Sequence, residues 1–341
     1  MNNSLLLTIS CLIHNILSVL DQLLIPIAQQ MAEVESILAN QLKSDVPLIT
    51  EAARYVTQGG GKRIRPAIFL LSARLAGPGD SRLPYLASAI ELVHTASLLH
   101  DDVVDNAPLR RGKPSAKTRW GNQVSILVGD FLWCKASEFL IHYGTDRLWK
   151  AVTKAITAIT EGEMLEITRL NDITLDEESY RKIIEGKTAA LFGVCGQSAA
   201  ISQNLSGHFE SALDQFAFNL GVAFQLTDDV LDYISDHDRL GKDSGADLRE
   251  GKLTLPVIVS LKRCSMEETR LIRDALISGH ITQNIFTRIV DIVERHGGIS
   301  ETASLARQYA EKAKSFLTIF KSSIERDALL GLADYAVERH E

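Results

Sequence analysis

The sequence predicts an all-α fold, a large single-domain helical bundle around one core. Apolar-periodic stretches of helix length recur along the chain, breaker residues fall between them, and no sustained period-two alternation occurs. The first stretch covers roughly residues 12–42. The Gly-rich turn Gly59-Gly60-Gly61 then leads to a helix at 66–76, which Pro66 opens because proline is tolerated in a first helical turn. Gly77-Pro78-Gly79-Asp80 ends that helix, and the next runs over 84–106 to Ala107-Pro108. Segments at 121–143, 146–170 and 176–203 follow, then the break Asn204-Leu205-Ser206-Gly207 and a segment at 208–236. Segments at 252–263, 266–277, 282–296 and 299–321 complete the series, with Ser278-Gly279 as a further break. Thr174-Leu175-Asp176-Glu177 and Ser265-Met266-Glu267-Glu268 have the form of capping boxes, in which the first and last side chains satisfy orphan amides at a helix start.

Length and composition narrow the function. The 341 residues could form one large domain or two, but no Pro/Gly/Ser-rich linker divides them. The expected organisation is a helical N-terminal extension over 1–20 and one all-α domain over 21–341. Aromatic residues make up only 6%, so aliphatic side chains must fill the core. A net charge of −7 argues against nucleic acid as the main partner. Cysteines at 11, 134, 195 and 264 form no CxxC pair and read as free thiols in a reducing, cytoplasmic compartment. The nine histidines and four cysteines show no zinc spacing. Residues 4–20 are mostly apolar, but His14, Asn15 and several hydroxyl residues interrupt them, and no Lys or Arg precedes Lys43. That pattern fits neither a secretory signal nor a membrane span. It reads as an extension resting on a partner subunit, with weak membrane association as a secondary reading.

The chemistry lies in two aspartate clusters of one pattern, Asp101-Asp102-Val103-Val104-Asp105 and Asp228-Asp229-Val230-Leu231-Asp232. Each follows an apolar run, and buried carboxylates are costly unless paired or metal-bound. On a helix Asp101 and Asp105 share a face, with His94 two turns earlier; Asp228 and Asp232 repeat the pair, with Gln225 one heptad before Asp232. Such a stripe of acid oxygens can bridge two or three Mg²⁺ ions that share their coordination with substrate phosphates. The alternative is a solvated acidic face, which the apolar flanks disfavour. The similar surroundings of the clusters hint at a weak internal pseudo-repeat.

Phosphates also need cations. Lys62, Arg63 and Arg65 follow the glycine turn, and Arg110-Arg111 follow the first cluster within one loop, where Arg grips phosphate bidentately. Gly186-Lys187-Thr188 resembles the tail of a nucleotide-binding P-loop, but Arg181 stands where that loop needs glycine, so the nucleotide reading fails. Lys187 and Thr188 remain candidate phosphate contacts, as do Lys242 and Lys252 after the second cluster. Taken singly, each lysine could equally be a solvated surface charge. His100 points away from the Asp101 line and reads as structural.

Together these residues resemble the trans-isoprenyl diphosphate synthase family, long-chain type. The resemblance rests on Gly61-Lys62-Arg63-Ile64-Arg65-Pro66, Leu98 to Asp105, Arg110-Arg111-Gly112 and Gln225 to Asp232, and it covers about 50–338. It implies a homodimer whose subunits each enclose a deep central cavity. It also implies head-to-tail condensation of isopentenyl diphosphate onto an allylic diphosphate such as farnesyl diphosphate. By the resemblance, the metal site comprises Asp101, Asp102, Asp105, Asp228, Asp229 and Asp232. Asp101, Asp105, Lys187, Gln225 and Asp228 would be catalytic. Lys62, Arg65, His94 and Arg111 would hold isopentenyl diphosphate; Arg110, Lys187, Thr188, Gln225, Lys242 and Lys252 would serve the allylic substrate.

Family members with short products carry bulky aromatics four or five positions before the first aspartate. Here those positions are Ser97 and Ala96, which implies an open tunnel and a long product of about octaprenyl size for a quinone side chain. Ile90, Phe131 and Phe139 are candidates for the deeper floor. A shorter-chain synthase and a class I terpene cyclase are the alternatives. The cyclase usually has Ser or Thr at the position of Asp232 and Glu at that of Asp236.

Overall fold

In a computed structural model, residues 18–234, 245–279 and 281–339 are described. The predicted extension at 1–20 therefore lies outside the described residues except for its last three, and Lys242 lies outside them altogether. Fourteen helices of seven residues or more occur among the described residues. They are α1 (Ala28–Asn40), α2 (Pro47–Thr57), α3 (Ile64–Ala76), α4 (Leu83–Val104), α5 (Asn122–Tyr143), α6 (Asp146–Thr168) and α7 (Glu177–Ile184). Then come α8 (Ala190–Ser202), α9 (Gly207–Ile234), α10 (Leu255–Leu261), α11 (Met266–Ser278), α12 (Gln283–Arg295), α13 (Gly298–Phe316) and α14 (Ile324–Glu338).

The all-α expectation holds, with instructive differences. The segment predicted at 12–42 is divided by a 3₁₀ turn at Ile25–Ile27, where Pro26 lacks the amide a continuous helix needs. Helices α2 and α14 were not predicted. Their buried faces are largely alanine (Ala52 and Ala53; Ala328, Ala333 and Ala336), a weak signal for apolar periodicity. The capping box at Ser265 forms as expected. The one at Thr174 does not: Asp176 is the N-cap and accepts from the Ser179 amide, while the Thr174 amide and hydroxyl are both tied to Asp172. Thr and Asp are both good N-cap residues, and the choice moves the helix start by two residues, so the segment 174–177 alone did not decide its cap.

The main core gathers α1, α3, α4, α5, α8, α9 and α14, and a second apolar cluster lies among α7, α9, α10, α11 and α12. Helix α9 contributes to both. Backbones approach closely where glycines allow it. A Cβ on Gly196 would sit 2.0 Å from the Leu213 carbonyl oxygen, so α8 and α9 touch there only because the side chain is missing. Tertiary folding also collects Cys264, Glu268 and His296. Glu268 accepts from the Ser265 amide, from Arg295 at 2.7 Å and against His296 Nε2 at 3.1 Å, a brace between α11 and α12 that holds its carboxyl at about 2.

Candidate active site

Both aspartate clusters fall at the C-terminal ends of core helices, Asp101–Asp105 at the end of α4 and Asp228–Asp232 at the end of α9. The helix dipole is negative there, so carboxylates at these positions demand cations. The fold supplies them from distant segments. Lys252 Nζ lies 3.0 Å from Asp105 Oδ1 and 3.8 Å from Glu166. Lys187 Nζ reaches Glu163 at 2.7 Å and Glu166 at 2.5 Å. Burial pulls both ammonium groups down, but Glu166 and the neighbouring acids outweigh it and hold them above the usual lysine range.

Lys187 and Thr188 sit in a π-helical turn, Glu185–Ala189, between α7 and α8. Such turns are rare and often mark functional sites. The turn lies hard against α6: a Cβ on Gly162 would be 2.6 Å from the Lys187 amide nitrogen, and one on Gly186 would be 2.7 Å from the Ala158 carbonyl oxygen. The two consecutive side chains then diverge. Lys187 goes to the acids of α6 near Asp101, and the Thr188 hydroxyl donates to Gln225 Oε1 at 2.7 Å. Gln225 in turn donates to Asp229 Oδ1 at 2.8 Å. The π turn thus links the neighbourhoods of the two clusters.

The six aspartates have different surroundings. Asp102 is buried and takes two hydrogen bonds from Arg110. Asp229 is buried and accepts from Tyr180 and Gln225; burial raises its carboxyl and those two bonds oppose the shift. Asp232 accepts from the backbone amides of Gly245, Ala246 and Asp247. Asp105 faces Lys252, and Asp228 faces Arg339 at 2.8 Å. Asp101 has no side-chain hydrogen bond or ion pair among the described residues; burial, then the Glu163 charge, push its carboxyl up to about 7. Asp102, Asp229 and Asp232 each accept two or more hydrogen bonds, whereas Asp105 and Asp228 each have a single ion pair, with Lys252 and Arg339, and Asp101 has none among the described residues. These last three offer the least occupied hard oxygen donors, and a half-buried carboxylate without a counter-charge, as at Asp101, is what a divalent cation would satisfy, so the donor set fits Mg²⁺.

Arg110 is engaged with the first cluster itself. It lies on a two-residue hairpin, β1 (Leu109–Arg110) and β2 (Lys113–Pro114), whose loop residues Arg111 and Gly112 have φ of 52° and 72°. That turn aims Arg110 at Asp102, so its guanidinium serves the cluster's own framework. Arg111 instead lies against Gly61; a Cβ there would be 2.7 Å from Nη1, which explains the glycine before Lys62.

The second group of cations also assembles. His94 is held well below the usual histidine range by burial and by the surrounding charges of Arg65, Arg111, Arg110 and Arg63, so its imidazole is neutral. Arg65 lies 4.7 Å over the Phe192 ring with its Nε buried and unpartnered by protein, and Lys62 lies 5.6 Å over the Tyr335 ring. Arg63 is structural: it bonds Glu35, Glu91 and the Thr57 carbonyl. Ala96 is buried in the core, and the Ser97 hydroxyl turns back to the His94 carbonyl at 2.9 Å. Of the proposed floor residues, Ile90 and Phe139 are buried, Phe139 packing edge-on against Tyr85 at 5.6 Å, and Phe131 is partly buried.

Sequence reasoning missed Glu163, Glu166, Tyr180 and Arg339. The pair Glu163 and Glu166, three apart on α6 after Gly162, could have been read as one acidic face. Nothing local marks Tyr180 or Arg339.

An all-helical body with two acid-ended core helices and two groups of cations defines the isoprenoid synthase fold class. Solved structures agree. The polyprenyl synthase from Caulobacter crescentus CB15, described as complexed with calcium and isoprenyl diphosphate, superposes with a TM-score of 0.91 at 38% identity, covering 94% of this chain and 98% of that one. The chain belongs to the Polyprenyl synthetase family, whose model matches residues 46–293, and it is a trans-polyprenyl diphosphate synthase of long-chain type. It is 39% identical over 312 residues to the octaprenyl diphosphate synthase of Escherichia coli (strain K12), covering 92% of this chain and 96% of that one. It is 38% identical over 320 residues to the all-trans-nonaprenyl-diphosphate synthase (geranyl-diphosphate specific) of Rhodobacter capsulatus, covering 93% and 97%. Among the described residues no helix is long and apolar enough to cross a membrane.

Proposed function

We propose that this synthase condenses isopentenyl diphosphate head-to-tail onto an allylic diphosphate, farnesyl diphosphate as primer, in a Mg²⁺-dependent reaction that yields octaprenyl diphosphate for a quinone side chain. The observation that carries the reaction is the pairing of acid clusters with two separate groups of cations, enough for one group to serve each diphosphate. Bound at Asp101, Asp105 and Asp228, Mg²⁺ would neutralise the charge of the departing pyrophosphate. Lys187 and Lys252 hold that pyrophosphate from the protein side and keep it in place as the allylic C–O bond breaks. Thr188 and Gln225 turn their oxygen dipoles toward the resulting cation. Lys62, Arg65, His94 and Arg111 orient isopentenyl diphosphate so that its double bond attacks; the new C–C bond forms, and a proton is lost to the released pyrophosphate. His94, held neutral, can donate one N–H to a phosphate oxygen without trapping it by charge.

Product length rests on Ala96 and Ser97, whose small side chains leave room one turn beneath Asp101. The relatives named as octaprenyl and nonaprenyl synthases support the same range. The protein acts as a homodimer in the cytoplasm, with weak membrane contact at product release. Incubation with isopentenyl diphosphate, farnesyl diphosphate and Mg²⁺, followed by chromatographic sizing, tests the reading. An eight-unit product is expected; a product of four units or fewer would refute the length assignment, and no elongation at all would refute the reaction.

A further inference from the structure

We propose that Arg339 holds the place of a divalent cation at Asp228, and that metal entering there frees the C-terminal end of α14. The inference deepens the reading above, because it takes Asp228 as a metal ligand.

Arg339 follows the last residue of α14, yet its side chain is only 4% exposed, whereas that of Asp228 is 43% exposed. The guanidinium lies 3.7 Å over the Phe224 ring. Its Nη2 donates to the Phe224 carbonyl at 2.9 Å and lies 2.8 Å from Asp228 Oδ1. Its Nε donates to the Ala336 carbonyl at 3.2 Å. Phe224 and Asp228 are one turn apart on α9, so one planar cation spans the ring, the carbonyl and the carboxylate. The last turn of α14 is thereby tied to the acid end of α9.

Asp228 has like-charged neighbours in Asp229 and Asp232 on the same helix, so its carboxylate is stabilised by a cation. Arg339 meets that need with one charge. A divalent ion on the same carboxylate brings two, and like charges at neighbouring positions repel, so the two occupants exclude each other. The consequence reaches the second substrate. Tyr335, one turn before Arg339 on α14, lies under the Lys62 ammonium. Release of the α14 end by metal therefore also changes the surroundings of Lys62, in the group assigned to isopentenyl diphosphate. Coupling of this kind is reciprocal: whatever metal binding costs the Arg339 contact, the contact costs metal binding.

The test measures Mn²⁺ alone, by electron paramagnetic resonance, binding to chelated full-length protein as wild type, Arg339→Gln and Asp228→Ala. Arg339→Gln should bind Mn²⁺ about five- to tenfold more tightly than wild type. Unchanged or weaker binding, with Asp228→Ala still losing a site, would overturn the latch and leave the metal reading standing. Wild-type binding by Asp228→Ala would remove the metal reading itself, and the latch with it. A second measurement needs no variant. Carboxypeptidase Y should trim the wild-type C-terminus faster with Mn²⁺ and inorganic pyrophosphate than after chelation, and an equal or slower rate would count against release.

Discussion

Lys252 donates to Asp105 across 147 positions of sequence, at 3.0 Å, and stands within 3.8 Å of the same Glu166 that binds Lys187. One glutamate on α6 thus sets the spacing of two lysines, one from the π turn and one from the loop before α10. Within the first acid cluster Asp102 and Asp105 are paired before any substrate is present, whereas Asp101 has no protein counter-charge among the described residues.

Glu166→Gln should therefore disturb both lysines without removing either. Losing one member of a buried ion-pair group leaves an uncompensated charge, a cost of about 3 kcal/mol when burial is complete and less in this partly open site. The expected result is a rise of about tenfold in KM for the allylic diphosphate, with KM for isopentenyl diphosphate little changed. Steady-state kinetics with each substrate varied in turn will check it. Equal rises in both would show that Glu166 supports the fold and not the lysine spacing.

Asp101→Ala or Asp228→Ala should lower turnover by about a thousandfold or more, the scale of losing a principal charge-stabilising group. Far-ultraviolet circular dichroism should stay helical, because neither side chain fills the core. Near-normal activity in either variant would remove that residue from the metal site.

Metal affinity should depend on pH. The Asp101 carboxyl, pushed up to about 7 chiefly by burial, must lose its proton to bind a cation. Apparent Mn²⁺ affinity should rise by about tenfold per pH unit from pH 5 to 7 and level off above. The folding contribution has the opposite sense. After chelation the folded state holds a proton that the unfolded chain releases near pH 4, so stability falls as pH rises from about 4 to about 7. Isothermal calorimetry and thermal melts across this range will test both signs; a pH-independent affinity would contradict the assignment of Asp101.

Gly162→Ala should separate the π turn from α6. The added methyl would meet the Lys187 amide nitrogen at 2.6 Å, and both partners are backbone, so neither can swing away. A melting temperature lower by several degrees is expected, of the order given by about 1–3 kcal/mol of overpacking. Activity should fall further than that loss of stability explains, because Lys187 and Thr188 both move. A variant with full activity and an unchanged melt would mean that the turn adapts.

Ser97→Phe or Ala96→Phe should shorten the product. Ser97 lies one turn before Asp101 on the same face of α4, so a ring there enters the path of the growing chain. Ala96 is already packed in the core, and its substitution should also cost stability. Radio-chromatographic sizing gives the answer, and an unchanged product from Ser97→Phe would end the open-tunnel argument.

The helical class, most element positions and the acid clusters were legible in the sequence because each depends on local spacing: 3.6-residue periodicity, breakers, and carboxylates four apart within apolar runs. The glycine before Lys62 was legible as a turn, but its purpose, room for the Arg111 guanidinium, was not. Helices α2 and α14 escaped because alanine-rich faces carry little periodic signal. How the charges pair depended on the packing of distant segments. Arg110 turns to Asp102 because a two-residue hairpin points it there, Glu166 gathers Lys187 from the π turn and Lys252 from a loop, and Arg339 reaches Asp228 from a distant helix end. Coulomb attraction depends on distance in space, and sequence separation does not encode it. Local spacing therefore identified which groups could act, and the packing of α4, α6, α9 and α14 set which of them are already engaged and which are left to meet metal and substrate.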